Sequence, residues 1–201
     1  MTKKIMGAIL SACFFMLVCI VPSSAQSEFG LRVAVVIDSD DIKGFSQESG
    51  TLREFLKILK KHEGESVTFY YEAADTAIDG DLAASLMYFK VNGFRVGIYG
   101  ADDLAVANFN DIIKYMTKSK TRLVICEDSR AKILSEYGYS VMEKADITLS
   151  AEQKDSIHAN KDRDTTVKLV LSEDTLSDIE RLIEYAHKNY IYLYGTDEGT
   201  R

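Results

Sequence analysis

Tryptophan is absent from the 201 residues, proline occurs once and histidine three times. The single proline is Pro22, so nothing beyond it can form a cis-prolyl turn. Cysteine is almost as scarce. Cys13 and Cys19 fall in an amino-terminal apolar run, which leaves Cys126 as the one thiol of the remainder. One cysteine closes no internal disulfide, so the fold has to be held by its core. No second apolar stretch is long enough to span a bilayer. A glycine-rich phosphate loop with its lysine, a Gly-x-Ser-x-Gly elbow, a Cys-x-x-Cys pair and a His-Glu-x-x-His helix are all missing. Basic residues are outnumbered 24 to 31 by acidic ones, for a formal charge of −7. Such a surface repels phosphate backbones and anionic headgroups, which argues against nucleic acid as a partner.

What is present begins with an address. Met1–Lys4 is a short basic segment, Ile5–Val21 is apolar, and Pro22 precedes the small residues Ser23-Ser24-Ala25. This pattern predicts a secretory signal peptide over residues 1–25, cleaved after Ala25, and a mature chain without a membrane span. The rival reading is an uncleaved anchor at the short end of a spanning helix. Leu10-Ser11-Ala12-Cys13 imitates a lipoprotein box but stands too early, with eight apolar residues still to follow. The expected location is periplasmic or extracellular. Residues 26–201 suffice for one domain with a full core.

Apolar runs alternate with amphipathic segments along that chain. Leu31–Asp38 reads as a strand buried on both faces. Leu52, Phe55, Leu56 and Leu59 share one helical face. Strands are predicted at Ser66–Tyr71, Phe94–Tyr99, Arg122–Cys126, Val167–Leu171 and Tyr190–Tyr194. Helices are predicted at Asp81–Val91, around Asn110–Lys118, at Arg130–Tyr137 and at Leu176–Lys188. The alternation implies an α/β fold, a three-layer sandwich with a mostly parallel sheet flanked by helices. Ala145–Thr166 breaks the pattern as a polar, exposed insertion whose Ser150-x-x-Gln153 could cap a helix.

Two places could carry chemistry. Cys126 ends a strand and precedes a helix holding Arg130; a thiol there meets the positive end of a helix, which favours thiolate, while Glu127 and Asp128 oppose it. The plainer reading is a small buried hydrophobe. The second place is an acidic rim: Asp38, Asp40, Asp41, Asp102, Asp103, Glu127, Asp128, Glu173 and Asp174 all follow strands, where carboxylates can hold a divalent cation or simply cap helices. Asp38-Ser39-Asp40 after an apolar strand resembles the first motif of haloacid-dehalogenase-type phosphatases, without the residue expected after the pair. Asn160-x-Asp162-x-Asp164 lacks the glycine and glutamate of a calcium loop. His62, His158 and His187 read as surface residues, and the Tyr190-x-Tyr192-x-Tyr194 alternation as strand propensity.

From Ser66 to Gly195 the order of elements resembles the DsrE-type sulfur-relay family. The stretch carrying it runs from Val67-Thr68-Phe69-Tyr70-Tyr71 through Asn92-Gly93, Phe94-Arg95-Val96, Tyr99-Gly100-Ala101-Asp102 and Leu123-Val124-Ile125-Cys126 to Tyr137-Gly138 and Thr175-Leu176-Ser177-Asp178. On that resemblance Leu31–His62 is an additional β-α unit, and Cys126 takes the position that carries sulfur as a persulfide. Asp102, Asp128 and Arg130 would then stand around it as binding residues. The resemblance implies a homo-oligomer (trimer or hexamer) that exchanges sulfur with a partner thiol protein or a small sulfur compound and needs no metal or other cofactor. The alternatives are a noncatalytic binding or assembly module and, more weakly, a metal-dependent phosphatase using Asp38 and Asp40.

Overall fold

The computed structural model describes residues 30–62, 66–73, 78–100, 102–142, 144–155 and 164–196. The predicted leader and His158 lie outside them. The architecture starts from β1, Leu31–Ile37, whose side chains alternate between two apolar environments. Leu31, Val33, Val35 and Ile37 enter the larger core cluster, while Ala34 and Val36 enter a smaller one on the opposite face. A strand apolar on both sides belongs in the middle of a sheet, and that is where β1 lies.

The other strands are β2 (Thr68–Glu72), β3 (Arg95–Tyr99), β4 (Leu123–Ile125), β5 (Ser140–Val141), β6 (Ile147–Leu149), β7 (Thr165–Val170) and β8 (Leu193–Gly195). They form one sheet in the order β5-β4-β3-β2-β1-β7-β6, with β8 also joined to β1. Every pairing between these strands is parallel. On one side β1 runs beside β7 over nearly its whole length, from Leu31↔Thr165 to Val36↔Val170. On the other it is shared, with Leu31–Val33 facing β8 and Ala34–Ile37 facing β2. The α/β class and the mostly parallel sheet expected from the alternation are thus present, with the sheet curled.

Among the described residues five α-helices connect the strands: α1 (Thr51–Lys61), α2 (Gly80–Val91), α3 (Asp103–Thr117), α4 (Asp128–Glu136) and α5 (Leu176–Lys188). Their buried residues, among them Leu52 and Phe55 of α1, Phe89 of α2 and Leu182 of α5, join the larger cluster. The smaller cluster of buried residues, Ala34, Val36, Tyr70 and Ile125, contains strand side chains alone. At the centre of the larger one the Phe69 and Phe89 rings stack with centroids 4.2 Å apart. Among the described residues no helix is long and apolar enough to cross a membrane.

Several elements differ from the sequence pattern for identifiable reasons. α3 begins at Asp103 rather than near Asn110, because Asp102 caps it by accepting the Ala105 amide at 2.8 Å. The last strand begins only at Leu193. Tyr190 adopts a left-handed φ of 56° and the Ile191 amide returns to the Ala186 carbonyl, so this stretch closes α5 before the strand can start. The polar insertion contains β6, which pairs with β7, and Ser150 accepts the Gln153 amide without a helix following. His62 and His187, far apart in sequence, pack edge to face with ring centroids 5.4 Å apart.

Gly97 of β3 faces the Tyr70 ring, and a Cβ there would collide with it. Gly97→Ala is therefore expected to lower unfolding free energy by about 1–3 kcal/mol, read as a shifted denaturant midpoint at unchanged slope.

Candidate functional site

In an open parallel α/β sheet, loops at the carboxyl ends of the strands gather the functional groups. The first such loop follows β1. Asp38 Oδ1 accepts the amides of Asp40 at 2.7 Å and Asp41 at 3.0 Å, while Asp41 Oδ2 accepts the Asp38 amide at 3.1 Å. The two carboxylates lock the turn reciprocally. The Asp41 carbonyl then receives the Leu52 amide, which ties the turn to α1. Asp81, in the first turn of α2, accepts the amides of Gly44 and Ser46, both at 2.8 Å, and fastens the rest of the loop.

Within this turn the acids differ sharply. Asp40 is exposed and pairs with Lys43, whereas Asp41 is 5% exposed. Burial pushes the Asp41 carboxyl up to about 7, with the charges of Asp38 and Asp40 adding to the rise and the bond from the Asp38 amide opposing it. A carboxyl that exchanges its proton near neutrality is a chemically useful group. The sequence pattern placed Asp41 in the acidic rim and gave the phosphatase pair to Asp38 and Asp40; its place before buried Ile42 was the trace of its burial.

A second group surrounds Cys126, the half-buried residue following β4. Burial raises its thiol pKa, and Asp103, Asp128 and Glu127 raise it further. Burial, with the local carboxylates adding to it, therefore sets the direction against the thiolate that the helix end was expected to favour. Asp128 and Arg130 are exposed in the first turn of α4, and Asp102 is occupied as the α3 cap. Asp103 keeps a buried Oδ1 without a hydrogen-bond partner. β2 and β3 stand between β1 and β4, so the Asp41 and Cys126 groups are separated by roughly 14 Å along the sheet. They occupy different places along the same carboxyl edge.

Among the described residues no group of three or more histidine, cysteine, aspartate or glutamate side chains comes together to hold a metal ion. Of the discarded calcium-loop residues, Asn160 and Asp162 lie outside the described chain; Asp164 binds the Gly30 amide at 3.0 Å and the Arg32 guanidinium at 3.1 Å.

No family model matches this sequence, and no curated protein matches it either. Similarity appears in three dimensions. The polysaccharide deacetylase Bc1974 from Bacillus cereus superposes with a TM-score of 0.64 at 10% identity, over 87% of this chain and 95% of that one. The peptidoglycan deacetylase PdaC from Bacillus subtilis gives 0.59 at 12% identity, over 88% and 91%. A mutant of BA3943, described as a CE4 family pseudoenzyme, gives 0.56 at 14% identity, over 86% and 67%. At these identities the likeness is one of fold.

These neighbours overturn the DsrE-type reading. Their fold accounts for about seven-eighths of the chain, beyond the stretch from residue 66 onward that suggested sulfur relay. The direction of the Cys126 thiol shift runs against the thiolate that a persulfide carrier uses. The alternatives fare no better. Neither a binding or assembly module nor a phosphatase finds support among the neighbours. Asp38 Oδ1 holds the turn amides and Asp40 pairs with Lys43.

Two outcomes test this electrostatic account. The folded state raises the Asp41 pKa, so the stability it confers is complete below about pH 4 and is lost as pH climbs through 7. Asp41→Asn keeps an oxygen for the Asp38 amide and removes that loss. It is expected to exceed the parent protein at pH 8 by on the order of 2–4 kcal/mol in denaturant unfolding; lower stability at pH 8 contradicts the assignment. For Cys126, the alkylation rate of the folded protein is expected to keep rising beyond the ordinary thiol range, and a plateau near neutrality would count against it.

Proposed function

We propose that this protein is exported and acts on an acetylated polysaccharide outside the cytoplasm, meeting the polymer at the carboxyl edge of its sheet. The observation that carries this reading is the near-complete overlap with a polysaccharide deacetylase, 87% of one chain against 95% of the other. With that share of each chain superposed, little of either molecule is left to serve another architecture. The basic, apolar and small-residue succession of residues 1–25 supports export.

Removal of an acetyl group by water needs a base to take a proton from the attacking water and an acid to return one to the leaving amine or alcohol. At the edge of β1, Asp41 is the residue suited to that exchange, because its carboxyl changes state near pH 7. The reciprocal turn holds the group in place, with Oδ2 on the Asp38 amide. Asp103 and the carboxylates around Cys126 make the far end of the edge acidic, which favours neutral or cationic polymers over anionic ones.

The test is acetate release by the full mature chain from N-acetylated chitooligosaccharides and from peptidoglycan, assayed with and without added divalent metal. The expected result is release that falls at least tenfold in Asp41→Asn while that variant remains folded. Absence of release from every polymer would overturn hydrolysis; polymer binding without release would set the chain beside the neighbour described as a pseudoenzyme.

A further inference from the structure

We propose a second ligand site, a cavity for a neutral sugar ring on the sheet face that carries the smaller apolar cluster, lined by neither the Asp41 turn nor Cys126. The cavity measures about 220 Å³. Arg32 of β1, Tyr70 of β2, Ser140 of β5 and Thr166 of β7 line it, together with Met142 and Thr196 just beyond β5 and β8. Five strands contribute, so the site is set by the sheet and not by one loop. Its volume is below the roughly 300 Å³ at which sites for drug-sized ligands begin, and so points to a small ligand.

The lining is rich in hydroxyls, each able to donate and to accept, as the hydroxyls of a sugar require. The Tyr70 and Thr196 hydroxyls are 2.6 Å apart. Tyr70 is almost wholly buried, and its ring lies against the bare backbone of Gly97, which fixes where the hydroxyl stands. Arg32 brings donors without bringing an uncompensated charge. Its guanidinium is paired with Asp164 at 3.1 Å and reaches the Tyr194 hydroxyl at 3.4 Å. A charge balanced in this way offers little to a free anion and much to a neutral polyhydroxyl ligand.

A tyrosine ring stands beside this lining. Ile191 and Leu193 are buried, so Tyr194 alternates onto the opposite side. Its ring lies 5.9 Å from the Arg32 guanidinium carbon and rests over Gly30, where a Cβ would approach it to 2.7 Å. Tyr194 thus adds, next to Arg32, ring surface of the kind that covers the C–H face of a sugar. Tyr190 takes no part, since its left-handed backbone ends the alternation.

The choice of probe rests on the polysaccharide reading; the site itself does not. The isotopically labelled mature chain would be titrated with the trimer of N-acetylglucosamine, with maltotriose and with inorganic phosphate, following backbone amides by NMR. The expected result is saturable shifts from a sugar at Arg32, Tyr70, Thr166 and residues 194–196, none from phosphate, and affinity at least fivefold weaker in Ser140→Ala and in Tyr70→Phe. Because Ser140 is exposed, its variant folds whatever Tyr70 requires. Unchanged affinity in Ser140→Ala, competition by phosphate, or no shift with either sugar overturns the proposal. Shifts confined to Asp38–Asp41 and Cys126 overturn it while supporting the carboxyl-edge reading; shifts confined to the cavity residues without acetate release do the reverse.

Discussion

Everything in this molecule is measured from β1. Its seven residues form hydrogen bonds with three other strands and place side chains in both apolar clusters. A strand in that position cannot tolerate a slip of one residue, since the slip would exchange Leu31, Val33, Val35 and Ile37 with Arg32, Ala34 and Val36. With register fixed at β1, the turn at Asp38 leaves the sheet at one defined height. The ends of β2, β3 and β7 are ordered around it, through contacts such as the Leu171 amide on the Val36 carbonyl and the Ala73 amide on the Tyr99 carbonyl.

The carboxyl edge shows how much acidic side chain a parallel sheet consumes merely to start its helices. Asp79 and Asp102 are caps, Asp81 fastens a loop, and Asp38 closes a turn. What remains for chemistry is set by burial more than by charge density. Asp41 is perturbed because it is covered, whereas Asp40, one residue earlier, faces water and a lysine. Cys126 shows the reverse effect of the same crowding, since carboxylates placed to begin α3 and α4 act on the thiol between them.

The sequence pattern carried most of the fold. Leu176–Lys188 was legible to the residue, because Ile179, Leu182, Ile183 and Ala186 lie on one face with little ambiguity. β5 and β6 were not legible; strands of two and three residues are too short for periodicity to register, and β6 lies in a polar stretch that reads as a loop. The family resemblance failed for a related reason. Successive β-α units of similar length look alike in many parallel folds, and the order of strands in space, with β1 flanked by β2, β7 and β8, is not written in local spacing. Among the candidate site residues, strand ends were located well. Which carboxylate was buried depended on the fold of the turn, and the meeting of His62 with His187 or of Arg32 with Asp164 depended on contacts more than a hundred residues apart.

The sharing of β1 between early and late partners has a consequence for how the chain reaches its native state. Thr165 and Leu193, which pair with Leu31, follow it by 134 and 162 residues. Until they have been synthesised, one whole hydrogen-bonding edge of the central strand and half of the other stand open. Such long-range closure is slow, because loop entropy is lost before the contacts that compensate it are made. A growing chain of this topology cannot close its central sheet until Leu193 has emerged, and a sheet left open is the looser state that lets a polypeptide pass through a membrane pore as an extended thread.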